Sequence, residues 1–283
     1  MAPVRHPGRE AGVWDIGGLL SSPLEVHRHF SRIACKYKDL RSTDLPPIQF
    51  IREKLVDREF IQAADVGCGA GRYVVELFHH MGSRRLSLIC IDSNVEMLAE
   101  LAVNVEREGF ENFRAVQARA RTLPLPSGAL DAIFTFNAVH HFHLPEFLKQ
   151  CALALRKGGL LFIYTRFRSQ NRRNIWGRFF PLFNEKETRL FELPDIHEAL
   201  DGIPELRLRS VEYYRYRREA PLDWLENQAV QRHYSTFSLY RDGEFEDALD
   251  GFRKNIVQHF EDVNSIRWND ENVMMVIQPT GPA

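Results

Sequence analysis

Five short apolar runs, at residues 61–66, 86–91, 113–116, 132–136 and 160–165, alternate with segments long enough to form amphipathic helices. That alternation is the pattern of βαβ units, which assemble into a mostly parallel sheet with helices on both faces. The intervening helices start near Gly71, Ser93 and Leu144. A sixth run over 206–216 and a last one over 272–278 complete a seven-strand α/β plan of Rossmann-like type, with an insertion between the last two strands.

The flanking segments differ in character. Residues 1–22 are rich in Gly, Pro and charge without periodicity, and read as a flexible tail. Residues 23–58 carry two helical patterns, one through Leu24, Val26, Phe30, Ile33 and Ala34 and one over 47–57, which predict an N-terminal helical cap. The main domain then covers 59–283, with substrate-lid elements expected at 166–200 and 220–262.

Composition narrows the class. Hydrophobic residues at 44% and charged residues at 27% exclude disorder as the main state. A formal charge of −1 argues against coating nucleic acid or an anionic membrane by bulk electrostatics, so any polyanion site must be local. No apolar run approaches the roughly 20 residues of a membrane span, and the N-terminus lacks the apolar stretch of a signal peptide. Cys35, Cys68, Cys90 and Cys151 lie far apart and form neither a zinc clip nor a disulfide framework, which suits a reducing cytoplasm. His27, His29, His79 and His80 do not converge on a metal by spacing, so none is expected.

The chemistry is carried by Asp65-Val66-Gly67-Cys68-Gly69-Ala70-Gly71-Arg72, placed where the first apolar run ends and a helix begins. Such a turn needs Gly where the backbone takes positive φ or approaches a ligand, and it presents free helix amides. A dinucleotide fingerprint requires a small residue at position 72, which is Arg, and a phosphate-cradling P-loop requires Gly-Lys-Ser/Thr, where this chain has Gly71-Arg72-Tyr73. Asp92 closes the second apolar run, where a carboxylate can accept from both hydroxyls of a ribose.

The string resembles the D-x-G-x-G-x-G loop of class I methyltransferases. The likeness continues through Leu123-Pro124-Leu125-Pro126, Leu130-Asp131-Ala132-Ile133, Asn137-Ala138-Val139-His140-His141-Phe142 and Leu155-Arg156-Lys157-Gly158-Gly159, covering roughly residues 25–165. The resemblance implies S-adenosyl-L-methionine as cofactor. Asp65, Gly67, Gly69 and Gly71 would line its methionine end, with Cys68 supplying a small side chain inside the loop. Asp92 would hold the ribose with Ser93 beside it, Met97 would pack near the adenine, and Asn137 would close the site from the fourth strand. Tyr37 and Arg41 resemble cap residues that close over the methionine carboxylate, a role suited to the arginine fork. Where many relatives carry an acidic residue before Ala, this chain reads Arg119-Ala120, so the adenine would be met by stacking or by backbone groups.

Methyl transfer from a sulfonium is an in-line displacement whose main requirement is alignment. His140 and His141, just past the fourth strand, are the candidate general bases for an acceptor with a proton to lose. Trp176, Trp224, His233 and Tyr234 are candidate contacts to a small, partly apolar acceptor whose attacking atom is undetermined. Between residues 166 and 189, six arginines interleave with aromatic residues. That pattern is open to three readings: an RNA or tRNA site, solvated arginines over buried aromatics, or one arginine anchoring an acidic small substrate. A non-catalytic protein keeping the fold is the remaining alternative.

Overall fold

The computed structural model describes residues 43–281. The expectations for the tail, for the first cap helix and for Tyr37 and Arg41 fall outside them. Seven strands form one sheet: β1 (Ile61–Val66), β2 (Leu86–Asp92), β3 (Phe113–Gln117), β4 (Leu130–Phe136), β5 (Leu155–Thr165), β6 (Leu206–Ala220) and β7 (Ile266–Pro279). Their order is β3-β2-β1-β4-β5-β7-β6, with β7 antiparallel to both neighbours and the other described pairings parallel. The direction of winding reverses between β1 and β4, and open α/β sheets bind ligands at the carboxyl ends of the strands flanking such a switch.

Both faces are covered, as the full burial of β4 and the burial of β1 at every residue but Gln62 require. On one face the helices α1 (Pro46–Lys54), α2 (Arg72–Met81) and α3 (Val95–Arg107) bury Ile48, Ile51, Val74, Phe78, Leu101 and Val105 against the sheet. On the other, α4 (Leu144–Ala154) supplies Phe147, Leu148 and Cys151. The second cap helix expected from the sequence is therefore α1, in the helical layer beside α2. It runs down the sheet face, with Asp44 before its start bonded to Tyr164 near the end of β5 and Leu55 after it bonded to Arg85 at the start of β2.

Three strands exceed their sequence-based bounds. β5 begins at Leu155 rather than 160, β6 runs to Ala220 rather than 216, and β7 begins at Ile266 rather than 272. The reason for the last two is a ribbon. β7 pairs with β5 only over residues 273–277, but with β6 along its whole length, so the two strands run on together past the end of β5. Hydrogen bonding within the ribbon sustains strands whose side chains are too polar to signal a core.

The aromatic and basic segment after β5 folds into short helices α5 (Arg168–Asn171), α6 (Ile175–Phe179) and α7 (Phe183–Lys186), followed by α8 (Leu193–Asp201). Between β6 and β7 lie α9 (Leu222–Val230), a 3-10 turn (Ser235–Leu239) and α10 (Glu244–His259). These two insertions share a third core built from Trp176, Phe180, Phe183, Phe237, Phe245 and Phe252. No helix among the described residues is long and apolar enough to cross a membrane.

Candidate active site

The glycine turn follows β1 directly. Gly67 has φ +75°, and a Cβ there would lie 2.5 Å from the Cβ of Ala138 and 2.9 Å from Phe142, so no larger residue fits under the exit of β4. Gly71 sits before the first residue of α2 with φ +82°, and a Cβ would meet Leu101 at 2.9 Å. Both positions demand glycine for space and for backbone conformation. The turn is pinned to β2, where the amides of Gly67 and Cys68 donate to the Ile91 carbonyl at 2.8 and 3.1 Å.

Asp92 closes the arrangement from the end of β2. Its Oδ2 accepts from the Gly69 amide at 2.9 Å and its Oδ1 from the Asn94 amide at 2.9 Å. The second loop carboxylate, Asp65, is 1% exposed, and its Oδ1 has no hydrogen-bond partner. Burial, and then the negative charge of Asp92, raise its pKa well above the ordinary carboxylate range. A buried acceptor with nothing to accept marks a place for a cationic or N–H-bearing ligand group. Burial holds the Cys68 thiol up as well, with Cys90, Asp92 and Asp65 adding to it, so Cys68 stays a neutral thiol and acts in the turn as a small side chain.

The other residues expected at the nucleoside end lie along the same strand ends. Ser93 is exposed and its carbonyl accepts from Gln117. Met97 is buried in the first turn of α3, its amide capped by the Asn94 side chain at 2.9 Å. Arg119 is exposed and Ala120 half-buried just beyond β3. Asn137 takes φ +54° at the end of β4, a left-handed conformation Asn tolerates better than most, and its amide donates to the Tyr164 carbonyl at 2.7 Å.

Beside this turn a cleft opens between the strand ends, the ribbon and the two insertions, with about 1160 Å³ of atom-free space counted out to its mouth. Arg72, Tyr73, Asn137, His140 and His141 form the wall nearest the glycine turn. His140 and His141 sit in a 3-10 turn with ring centroids 4.1 Å apart. Trp176, Trp224, His233 and Tyr234 all line the opposite wall. Trp176 and His233 are buried, whereas Trp224 is 45% exposed at the rim. His233 is held by a 3.0 Å hydrogen bond between Nδ1 and the Gln228 carbonyl.

Several cleft residues were not anticipated. Trp268, Asp270 and Asn272 project from alternate positions of β7, and Arg218 from β6. The signal was present as the spacing 268, 270, 272, the period of a strand face, but it falls in a stretch too polar to read as a strand. Asp44, Arg166, Glu187 and Gln228 also line the space.

The arginine-rich segment is largely committed internally. Arg166 pairs with Asp270 at 3.3 Å, Arg168 donates to the Leu190 carbonyl at 2.8 Å, Arg173 pairs with Glu271, and Arg189 with Glu187. Phe179 and Phe180 are buried away from the cleft, so they form no stacking surface for bases.

With this geometry in place, the comparisons with known proteins decide the family. Residues 63–159, from β1 to the turn within β5, match the methyltransferase domain family. That stretch is a methyltransferase domain of the class I S-adenosylmethionine-dependent type. It is similar to the tRNA (carboxymethyluridine(34)-5-O)-methyltransferase alkbh8 of Xenopus tropicalis, 31% identical over 157 residues covering 53% of this chain and 23% of that protein. It is also similar to the ubiquinone biosynthesis O-methyltransferase of Caulobacter sp. (strain K31), 28% identical over 163 residues covering 50% of this chain and 62% of that protein. The chain thus spans less than two thirds of either relative. A putative methyltransferase from an antibiotic biosynthesis pathway of Anabaena variabilis shares the fold, with a TM-score of 0.62 at 19% identity over 83% of this chain and 98% of that one. S-adenosylmethionine is the cofactor of the class I methyltransferases, and the residues fit it: a cradle that a Cβ would fill at Gly67, an unpartnered buried carboxylate at Asp65, and a carboxylate one strand over at Asp92.

Proposed function

We propose that this protein transfers a methyl group to a small molecule held in the cleft beside the glycine turn. The observation that carries the reading is the position of that cleft. It shares Arg72, Tyr73, Asn137 and His140 with the cofactor end, and its far wall is the closed aromatic core of two insertions rather than an open basic surface.

When bound, S-adenosylmethionine supplies an activated methyl on its sulfonium. The chain's own part is alignment and exclusion of water. Asp65, Gly67, Gly69 and Gly71 would hold the methionine end, with the unpartnered Asp65 oxygen available to its ammonium group. Asp92, which accepts from the Gly69 amide, would hold the ribose hydroxyls. The insertions would hold the acceptor beside the methyl group, where alignment alone is worth several orders of magnitude. For an acceptor with a proton to lose, His140 or His141 takes it. Tyr37 and Arg41, outside the described residues, belong to this reading as candidate partners of the methionine carboxylate.

The specific rival is an RNA acceptor, favoured by the tRNA methyltransferase among the relatives. Against it stand the internal partners of Arg166, Arg168, Arg173 and Arg189. The test is incubation with methyl-tritiated S-adenosylmethionine, with bulk tRNA and with a small-molecule extract. The expected label is in the small-molecule fraction, at a rate unaffected by salt between 50 and about 200 mM, a range over which several phosphate contacts would lose orders of magnitude in affinity. Label in tRNA would overturn the small-molecule reading, and cofactor binding without transfer to either fraction would favour a non-catalytic protein.

A further inference from the structure

The charges that face the cleft cancel among themselves. Arg166 pairs with Asp270 at 3.3 Å and donates to the Asn272 side-chain oxygen at 3.3 Å. Arg218 is held by Asp44 at 2.5 Å and by Asp270 at 3.5 Å. Glu187 pairs with Arg189 and accepts from Thr236 at 2.5 Å. The remaining lining guanidinium, Arg72, follows Gly71 directly and lies 4.6 Å from the centre of the Tyr73 ring, at the cofactor end. A carboxylate or phosphate entering the half of the cleft walled by the insertions would have to break one of these pairs, and a buried charge stripped of its partner is strongly unfavourable.

Two polar atoms in that half are uncommitted. Gln228 is 3% exposed, and its Oε1 is buried with no partner among the described residues. Trp268 Nε1 is likewise buried and unpartnered. One can only accept a hydrogen bond and the other can only donate one. They come from different elements, Gln228 from α9 and Trp268 from β7, and both line the same space with Trp176 and Tyr234. Buried polar groups in folded proteins are nearly always paired, so such a complementary pair in a cleft is matched to what the cleft binds.

We infer that the methyl acceptor is an uncharged, flat molecule carrying both a hydrogen-bond donor and a separate acceptor, and that Gln228 and Trp268 are its specificity-determining contacts. The inference rests on the small-molecule reading above and adds the substrate class to it. The donor meets Gln228 Oε1, the acceptor meets the Trp268 indole N–H, and the planar body packs against the aromatic wall. Gln228 is kept in place because the backbone of its own residue is tethered to His233.

The test uses the full chain, labelled with ¹⁵N and saturated with S-adenosylhomocysteine, and follows its four tryptophan indole N–H resonances. Trp268→Phe identifies the resonance of interest. The probes are 4-hydroxyacetophenone and 4-hydroxybenzamide, both neutral, and 4-hydroxybenzoate, which differs by a carboxylate. The expected result is that at least one neutral probe saturably shifts the Trp268 signal. Its affinity, measured by calorimetry in each protein, then falls at least tenfold in Gln228→Leu and in Trp268→Phe, while both variants keep wild-type affinity for S-adenosylhomocysteine, and 4-hydroxybenzoate binds at least tenfold more weakly. Tighter binding of 4-hydroxybenzoate in this cleft, unchanged affinity in Gln228→Leu, or no shift from either neutral probe would overturn the inference. The first two outcomes leave the small-molecule reading standing, whereas methyl transfer to tRNA with no probe bound removes both.

Discussion

The side chain of Asp92 accepts a 2.9 Å hydrogen bond from the backbone amide of Gly69, joining the end of β2 to the turn after β1 in one cradle. Two carboxylates, Asp65 and Asp92, therefore serve a single loop from neighbouring strands, whose register sets Asp65 opposite Cys90 and Val66 opposite Ile91. The candidate site grows out of that pairing.

Gly71→Ala tests the tightness of the turn. The left-handed conformation costs an alanine about 1–2 kcal/mol, and the contact with Leu101 at 2.9 Å adds to it. Gly109→Ala is the internal control, because its φ is +77° but a Cβ there meets nothing within 4 Å. Urea unfolding should show the larger loss at position 71, and only that variant should lose cofactor affinity.

Asp65 makes a pH prediction. Its pKa is raised in the folded, empty protein, so the folded state holds a proton that the unfolded chain has released. Stability of the empty protein must then fall as pH rises above the ordinary carboxylate range of about 4. Asp65→Asn is expected to raise the thermal midpoint at pH 7 and to flatten its dependence on pH, while weakening cofactor binding. A midpoint unchanged by the substitution at pH 7 would contradict this.

Glu187 carries the opposite sign. Burial pushes its pKa up, but Arg189 beside it and the hydrogen bond from Thr236 outweigh burial and leave it below the ordinary glutamate value. Its contribution to the fold is present above the unfolded pKa and is lost as pH falls through the folded one. Glu187→Leu strands Arg189 in a largely buried position and should cost about 3 kcal/mol in denaturant unfolding.

His140 and His141 separate binding from turnover. Replacing both by Asn should lower kcat about 100-fold or more for a hydroxyl or amine acceptor, within the usual range for a lost general base, and leave the cofactor Kd unchanged. An unchanged kcat would remove the general-base role from both residues.

Much of this was legible in the chain. Asp65, Gly67, Gly69, Gly71 and Asp92 are dictated by local geometry, and local geometry leaves a sequence signature: a strand ending in a turn that only glycine can make, and an acid at the end of the next strand. The far wall of the cleft was harder to foresee. Gln228 and Trp268 come together only because a polar ribbon runs past β5 and two distant insertions share one core, and neither fact is periodic in the sequence. Arg166 and Arg173 show the same limit, since their partners Asp270 and Glu271 lie about a hundred residues away.

The central claim is that the glycine turn and Asp92 form one nucleoside site. Calorimetric titration of S-adenosylhomocysteine into the wild-type chain and into Asp92→Ala tests it most directly. The account predicts one saturable site in the wild type and about 100-fold weaker binding in the variant, the loss expected when charge-assisted hydrogen bonds to two hydroxyls are removed. No binding by the wild type, or equal affinity in the two proteins, would contradict it.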